Sequence, residues 1–153
     1  MRITLIFILT LNLQFVQASD FNFAVLRSLY VEASSSETEC QKLFSLTQGS
    51  TLEDNVIAYS YHAVSKMLRS KFSLNPFIKF SEFNSGKDML EEAISLYPNH
   101  LEIRFLRYCI QKNVPDFLNY NSHLDSDSLF IVSQLNSDNV ELKSFINPIF
   151  NAQ

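Results

Sequence analysis

The hydrophobic residues of this chain recur every three or four positions, which is the spacing of one face of an α-helix. The clearest stripe is formed by Leu52, Val56, Tyr59, Ala63 and Met67. A second stripe on the same segment is formed by Ile57, Val64 and Leu68. Apolar residues on two sides indicate a helix packed between neighbours. No stretch alternates with the period of a strand between hairpin turns, so the chain is predicted to be all-α.

Start and stop signals divide the chain into seven predicted helices. Asp20 is a candidate N-cap for the first helix, and capping boxes at Ser36–Glu39 and Ser50–Glu53 open the second and third. Asn75-Pro76 opens the fourth, which is predicted to bend at 83–86, and 125–128 is predicted to cap the sixth. The predicted helices are 21–33, 36–47, 50–71, 75–97, 101–112, 128–135 and 140–150, with a short segment at 116–120.

The breaks between these helices are short, which favours antiparallel neighbours. The predicted fold is therefore a small bundle or a short solenoid of antiparallel helical hairpins. Only Gly49 and Gly86 are glycines, and Gly49 is placed to end the second helix in a left-handed conformation. A chain of this length is expected to bury enough apolar surface to fold without a metal or a disulfide framework.

The first residues have the organisation of a secretory signal peptide. Arg2 precedes an apolar run at 3–13, and Val16-Gln17-Ala18 places small residues where signal peptidase requires them. The run is shorter than the roughly 20 residues that span a bilayer. We therefore expect residues 1–18 to be cleaved and residues 19–153 to form one helical domain, exported to the periplasm or secreted. A buried N-terminal helix or an uncleaved anchor is the alternative.

Charge and cysteine content narrow the possible functions. Removing Arg2 from the 12 basic residues leaves 11 against 16 acidic ones, a net charge of −5. A net negative charge argues against non-specific nucleic-acid binding, which depends on neutralising phosphates. Cys40 and Cys109 both fall among apolar neighbours on predicted helices. In an oxidising compartment they are a possible disulfide, and as free thiols they are small core residues; both alternatives stay open.

The segment Gly86-x3-Leu90-x2-Ala93-x4-Pro98 resembles the second helix and turn of a tetratricopeptide repeat. The resemblance covers about 30 residues, and the tryptophan-leucine-glycine-tyrosine pattern of that repeat's first helix is absent. It implies a pair of closely packed helices and a role in protein–protein contact. The phrases "NPFIKF" and "LEIRFLRY" also resemble small exported proteins of Bacteroidota, which implies export and a helical, repeat-like fold but transfers no activity.

No set of residues predicts catalysis or a cofactor. His62 and His100 lack a second ligand one helical turn away, and His123-Leu124-Asp125 is explained more simply as part of a polar loop, so no metal site is predicted. The sequence has no nucleophile elbow, glycine-rich phosphate loop or zinc-protease motif. Without a complete constellation of nucleophile, base and stabiliser, the chain is not expected to be an enzyme.

The middle of the chain is its basic part. Residues 60–112 hold eight basic and five acidic residues, and phenylalanines are interleaved with the lysines. The first hypothesis is a scaffold or adaptor that binds another envelope protein through Lys66, Arg69, Lys71, Lys79, Arg104 and Arg107. The alternative is a carrier that holds a small amphipathic or lipid-like ligand near Phe72–Phe83. A third interpretation puts the phenylalanines in the core and the lysines on its solvated edge, with Arg104, Arg107 and Glu102 in an exposed or half-buried ion network.

Overall fold

The computed structural model describes residues 22–135 and 139–152, and in these ranges the chain is helical with no strand. The predicted signal peptide and the Asp20 cap lie outside the described residues. The elements are α1 (Phe23–Ala33), α2 (Glu37–Thr47), α3 (Val56–Phe72), α4 (Pro76–Leu96), α5 (Leu101–Asn113), a 3-10 turn (Asp116–Leu118), α6 (Leu124–Gln134) and α7 (Val140–Ala152). The all-α prediction is confirmed.

Short polar side chains begin most of these helices. Ser36 accepts from the amide of Glu39, as the first capping box predicted, and Asn75 accepts from the amide of Phe77 at the start of α4. The second capping box was wrong as a helix start. Thr51 Oγ1 donates to Asp54 at 2.7 Å in a separate turn, and the N-cap of α3 is Asn55. The asparagine amide oxygen satisfies a first-turn N–H there, so the helix starts later.

The predicted bend in α4 is absent, because α4 runs unbroken from Pro76 to Leu96. Its glycine serves a different purpose. A Cβ atom at Gly86 would stand 2.4 Å from the carbonyl oxygen of Ala63 and 2.8 Å from Cγ of Met67. Gly86 therefore lets the backbones of α3 and α4 approach closely, as small residues do in packed helical pairs.

The predicted start of the sixth helix was also wrong. α6 begins at Leu124, so Asp125, Asp127 and Ser128 lie within its first turns instead of before them. Asp127 is fully buried and accepts hydrogen bonds from Arg104 and Arg107 of α5. A buried carboxylate needs such partners, and these contacts hold this part of the chain in the helix.

The odd-numbered helices form a row. α1 contacts α3, α3 contacts α5, and α5 contacts α7. α2 packs against α1 and α3, α4 packs against α3 and α5, and α6 packs against α5. The row turns back on itself at α7, where Phe145 makes edge-to-face contacts with Tyr30 of α1 and Phe105 of α5. This arrangement agrees with the predicted small bundle or short solenoid of helical hairpins.

A buried carboxylate ties three helices of the row together. Glu102 of α5 accepts two hydrogen bonds from the Arg27 guanidinium of α1, at 2.9 and 2.8 Å. The Tyr61 hydroxyl of α3 donates to the same carboxylate at 2.7 Å. Because each polar group of this cluster has a partner, burial does not leave the charges uncompensated. The cluster fixes α1, α3 and α5 relative to one another close to the cavity described next.

Candidate functional site: an apolar cavity with a lysine rim

A partly open cavity of about 960 Å³ is the feature of the described residues best suited to hold a ligand. It lies where the C-terminal ends of α1, α3 and α5 meet the start of α4 and the 3-10 turn. Its apolar lining includes Tyr30, Val31, Met67, Leu68, Phe80, Phe83, Cys109, Ile110, Val114, Phe117, Leu118 and Ile149. Ligand pockets in proteins have volumes of about 300–1,000 Å³ and are lined mainly by such side chains.

The floor of the cavity belongs to the hydrophobic core. Tyr30, Met67, Phe83 and Ile110 are all buried, yet each retains a small exposed fraction of 4 to 8%. Tyr30 also packs edge-to-face on Tyr61, with ring centroids 5.9 Å apart. The floor side chains are therefore fixed by packing against the row of helices, and the shape of the floor does not depend on a ligand.

One wall of the cavity is formed by a line of side chains on α4. Gly86 sits against Met67, whose side chain reaches the cavity floor. Moving toward the start of α4, Phe83 is buried one turn from Gly86 and Phe80 is exposed two turns away. An i, i+3 spacing keeps these residues on the same helix face. The wall of α4 thus passes from core to solvent along one line of side chains.

The 3-10 turn forms the side of the cavity mouth opposite α4. Pro115 ends α5, and Asn119 closes the turn with a φ of 46°, a left-handed conformation that asparagine tolerates better than most residues. The turn carries Phe117, which is exposed, and Leu118, which packs on the core; both line the cavity. The mouth is consequently bordered by aromatic side chains from α4 and from this turn.

The charged residues of the lining are both cationic. They are Lys71 at the end of α3 and Lys79 in the first turns of α4, and no aspartate or glutamate is among the described residues that line the cavity. The Lys71 ammonium donates to the carbonyl oxygen of Ser34 at 2.7 Å, which places it at the rim beside the end of α1. Ser70 is already engaged, since its hydroxyl donates to the Met67 carbonyl at 2.6 Å.

Both cysteines are free thiols in the described part of the chain. Cys109 lies in the cavity floor, where burial raises its pKa to about 12. Cys40 lies elsewhere, with Sγ 3.6 Å from the Ser65 carbonyl oxygen and with a pKa that burial raises to about 11. In the structure the two cysteines are separate buried thiols, and the disulfide stays a prediction from the sequence.

The six basic residues proposed for partner binding lie in three places. Lys71 and Lys79 are at the cavity rim. Lys66 and Arg69 are on the side of α3 that faces α2, where Arg69 lies 3.9 Å from the Phe44 ring centroid and 3.7 Å from Glu82. Arg104 and Arg107 are inside the contact between α5 and α6. The structure therefore does not gather these cations into a single surface.

Arg104 and Arg107 form an ion network, but it differs from the third interpretation of the sequence. It is more buried than that interpretation expected, and the partners are Asp127 and Glu91 rather than Glu102, which pairs with Arg27. Arg107 is bidentate to Asp127, at 2.7 and 2.9 Å, and also pairs with Glu91 at 2.8 Å. Burial opposes the charge of Arg107, but its hydrogen bonds with Asp127 and its attraction to both carboxylates outweigh burial and raise its pKa. These arginines hold helices together, and their donors are occupied.

The histidines lie apart from the cavity. Burial lowers the pKa of His62, with Lys66 adding to the effect, and burial lowers the pKa of His100. Among the residues that the structure describes, no three histidine, cysteine, aspartate or glutamate side chains are placed to hold a metal ion. Within the same ranges, no helix is long and apolar enough to cross a bilayer.

Part of the cavity lies outside the region that the sequence indicated for a ligand. Phe80 and Phe83 line it, whereas Phe72 packs beside the core and Phe77 points into solvent. The contributions of α1, of the end of α5 and of the 3-10 turn were not predicted. The proline at 115 followed by the apolar pair Phe117-Leu118 was the available signal, because a polar loop would not need that pair.

Comparison with protein-family models, with curated proteins and with solved structures finds no match to this chain. The resemblance to a tetratricopeptide repeat and to exported proteins of Bacteroidota therefore receives no support from relatives. The functional argument depends on the geometry of the cavity and its rim.

Proposed function

We propose that this protein is an exported, non-enzymatic carrier that holds a small amphipathic molecule in the apolar cavity. The observation that supports this proposal best is the cavity itself, about 960 Å³ between five helices and a turn, with an apolar floor and a polar rim. A mostly apolar pocket with a few placed polar groups is the usual form of a small-molecule site. The role stated first from the sequence, partner binding through the basic middle, becomes the second candidate.

A pair of valine variants tests the carrier role. Val31 and Val132 are exposed helical residues, at 50% and 55%, but only Val31 lines the cavity. The protein is purified gently from its native envelope fraction and weighed by native mass spectrometry. We expect the wild type and Val132→Trp to carry extra non-protein mass, and Val31→Trp to lose it because the indole fills the mouth. Bare polypeptide in all three preparations would contradict the carrier role.

A second candidate is the docking of a partner protein on the apolar surface beside the mouth. Leu74, Phe77 and Ile78 project into solvent at 101%, 84% and 51% exposure, next to Lys71 and Lys79. Exposed apolar groups in a contiguous patch often mark interaction sites. The chemistry fits an acidic amphipathic segment of another envelope protein. The row of odd-numbered helices also supports the proposal that the fold is a short tetratricopeptide-like repeat, a class suited to such contacts.

Cross-linking in the envelope distinguishes this second candidate. Phe77→Ser is compared with Leu129→Ser, which removes an apolar residue with 74% exposure from α6. Loss of a stoichiometric cross-linked protein in Phe77→Ser alone supports docking at this surface. Retention of the same cross-link in Phe77→Ser contradicts it.

Export is tested separately, because it depends on the N-terminal segment and not on the cavity. The intact mass of protein recovered from the envelope or the medium should correspond to a chain that begins at Ser19. A mass that includes residues 1–18 would contradict cleavage, and recovery only from the cytoplasm would contradict export.

A further inference from the structure

We infer that the ligand of this cavity is a single-chain anionic amphiphile, a carboxylate or phosphate head on one alkyl chain. Its head group would lie between Lys71 and Lys79 at the rim, and its chain would lie on the floor beside Met67 and Ile110. This inference rests on the proposed carrier function and adds the chemical class of the ligand.

The sign of the charge at the rim supports an anionic head. The chain carries a formal net charge of −4, yet the charged side chains that line the cavity are two lysines without a carboxylate. Lys79 is exposed and forms no ion pair within the described residues, so its ammonium is available to a ligand. Hydrogen bonds between an ammonium and an ionised oxygen are roughly twice as strong as neutral ones.

The floor determines which end of the ligand enters. Tyr30 and Cys109 both line the cavity, and burial raises the pKa of each group, which keeps both protonated at neutral pH. The remaining floor side chains of Met67, Phe83 and Ile110 are apolar. A charged head placed there would lose its hydration without gaining a partner, whereas an alkyl chain gains about 25 cal/mol for each Å² removed from water.

The positions of the charged and apolar lining residues determine the orientation of the ligand. Lys71 and Lys79 stand at the open side together with the exposed Phe80, while the buried floor lies behind them. The rim lysines come from the two arms of the α3–α4 hairpin, across the turn that joins them. In the proposed binding mode one head group lies between these two lysines and one chain passes inward over the floor.

Three probes with the same alkyl chain test the head-group class. Dodecanoate, dodecanol and dodecyltrimethylammonium are titrated into the full mature protein by calorimetry, each below the concentration at which it aggregates. We expect dodecanoate to bind at least tenfold more tightly than dodecanol, and the ammonium probe to bind most weakly. Added salt should weaken dodecanoate binding and leave dodecanol binding unchanged, because salt screens exposed charges.

Two double variants locate the effect. Lys71→Gln with Lys79→Gln should abolish the preference for dodecanoate while retaining dodecanol binding. Lys42→Gln with Lys66→Gln makes the same change in net charge away from the cavity and should keep the preference. Because these lysines are exposed or half-exposed, neither double variant is expected to unfold the protein.

The outcomes separate the two proposals. Equal binding of all three probes, blocked by Val31→Trp, would overturn the anionic head group and leave the carrier function standing. No binding of any probe would overturn both. Dodecanoate binding that survives Val31→Trp, or that is weakened equally by both double variants, would place the effect outside the cavity and overturn this inference.

Discussion

Asp127 is the residue on which the contact between α5 and α6 depends most. Its side chain has no exposure to solvent and it accepts from both Arg104 and Arg107. Charged groups are buried at a large cost in hydration, which is offset only when every charge has a well-placed partner. The guanidinium of Arg107 meets this requirement with a two-point contact that a lysine ammonium could not reproduce.

We predict that Asp127→Asn lowers the free energy of unfolding by about 3–5 kcal/mol, because it removes the buried counter-charge that Arg104 and Arg107 share. Urea unfolding followed by circular dichroism measures the change. Lys42→Ala is the control, since Lys42 forms an exposed pair with Glu39 and should contribute no more than about 1 kcal/mol. Equal effects of the two substitutions would show that the Asp127 network is not the structural contact described above.

The buried histidines make a second residue-level prediction, on pH dependence. The pKa of His62 and that of His100 are lowered below 6.5 in the folded protein, chiefly by burial. The unfolded chain therefore binds more protons than the folded chain just below pH 6.5. The stability that these histidines contribute is present above that pH and is lost as the pH falls toward their folded pKa values.

Comparing urea midpoints at pH 7.5 and pH 5.5 measures this loss. We expect His62→Gln to lose less stability between the two values than the wild type, and exposed His123→Gln to match the wild type. The carboxylates are common to all three proteins, so their contribution cancels in the comparison. A decline in His62→Gln identical to that of the wild type would contradict the assignment.

At the scale of elements, the α3–α4 hairpin shows why helices were easier to predict than their ends. The periodicity of α3 and the Asn75-Pro76 start of α4 could be predicted from the sequence, because apolar spacing and capping are local properties. The start of α3 was misplaced because two adjacent polar groups could each cap a helix, and the choice of Asn55 over the earlier box depends on packing.

The bend predicted near Gly86 was wrong for the same reason, because the role of this glycine depends on packing. In sequence, a glycine beside asparagine and serine favours a bend, since each of them weakens a helix. In the fold, the glycine is needed by another segment, because only a residue without Cβ fits against the Ala63 carbonyl. The tertiary contact is invisible to a local pattern, although the resemblance to a repeat hairpin did assign a small residue to this position.

We predict that Gly86→Ala destabilises the protein by about 1–3 kcal/mol, the usual cost of forcing an atom into a packed contact. Helix propensity alone would favour alanine by about 1 kcal/mol, so the two effects have opposite signs. Ser81→Ala is the control, because Ser81 is an exposed residue of α4 and should respond to propensity only. Thermal unfolding of both variants distinguishes them, and a stabilised Gly86→Ala would contradict the close contact.

At the scale of the whole molecule, the cavity could be predicted only in part. The lysines and phenylalanines of α3 and α4 were candidates because they cluster in sequence. The opposite wall comes from residues such as Tyr30, Ile110 and Ile149, which are distant in the chain and resemble ordinary core residues. Because the cavity residues come from four or more elements, no regular spacing in the sequence marks them. Their position depends on how the helices of the row pack.

α7 closes this row and also reaches the cavity. Ile146 is fully buried, Phe145 packs on Tyr30 and Phe105, and Ile149 is part of the cavity lining. The described helices nearest to the two ends of the chain therefore share one core, and they should unfold together. α7 therefore matters for the proposed function, because displacing α7 would remove one wall of the proposed ligand site.

We predict that Ile146→Ala lowers the free energy of unfolding by about 2–5 kcal/mol, as expected for a truncated core side chain. Glu141→Gln, which removes only an exposed carboxylate paired with Arg27, should cost less than about 1 kcal/mol. Far-ultraviolet and near-ultraviolet dichroism should report one coincident transition in each protein, because α7 belongs to the single core. Separate transitions in either protein would contradict this prediction. An Ile146→Ala variant that is as stable as the wild type and binds ligand normally would also contradict it, because α7 would then not be part of the core.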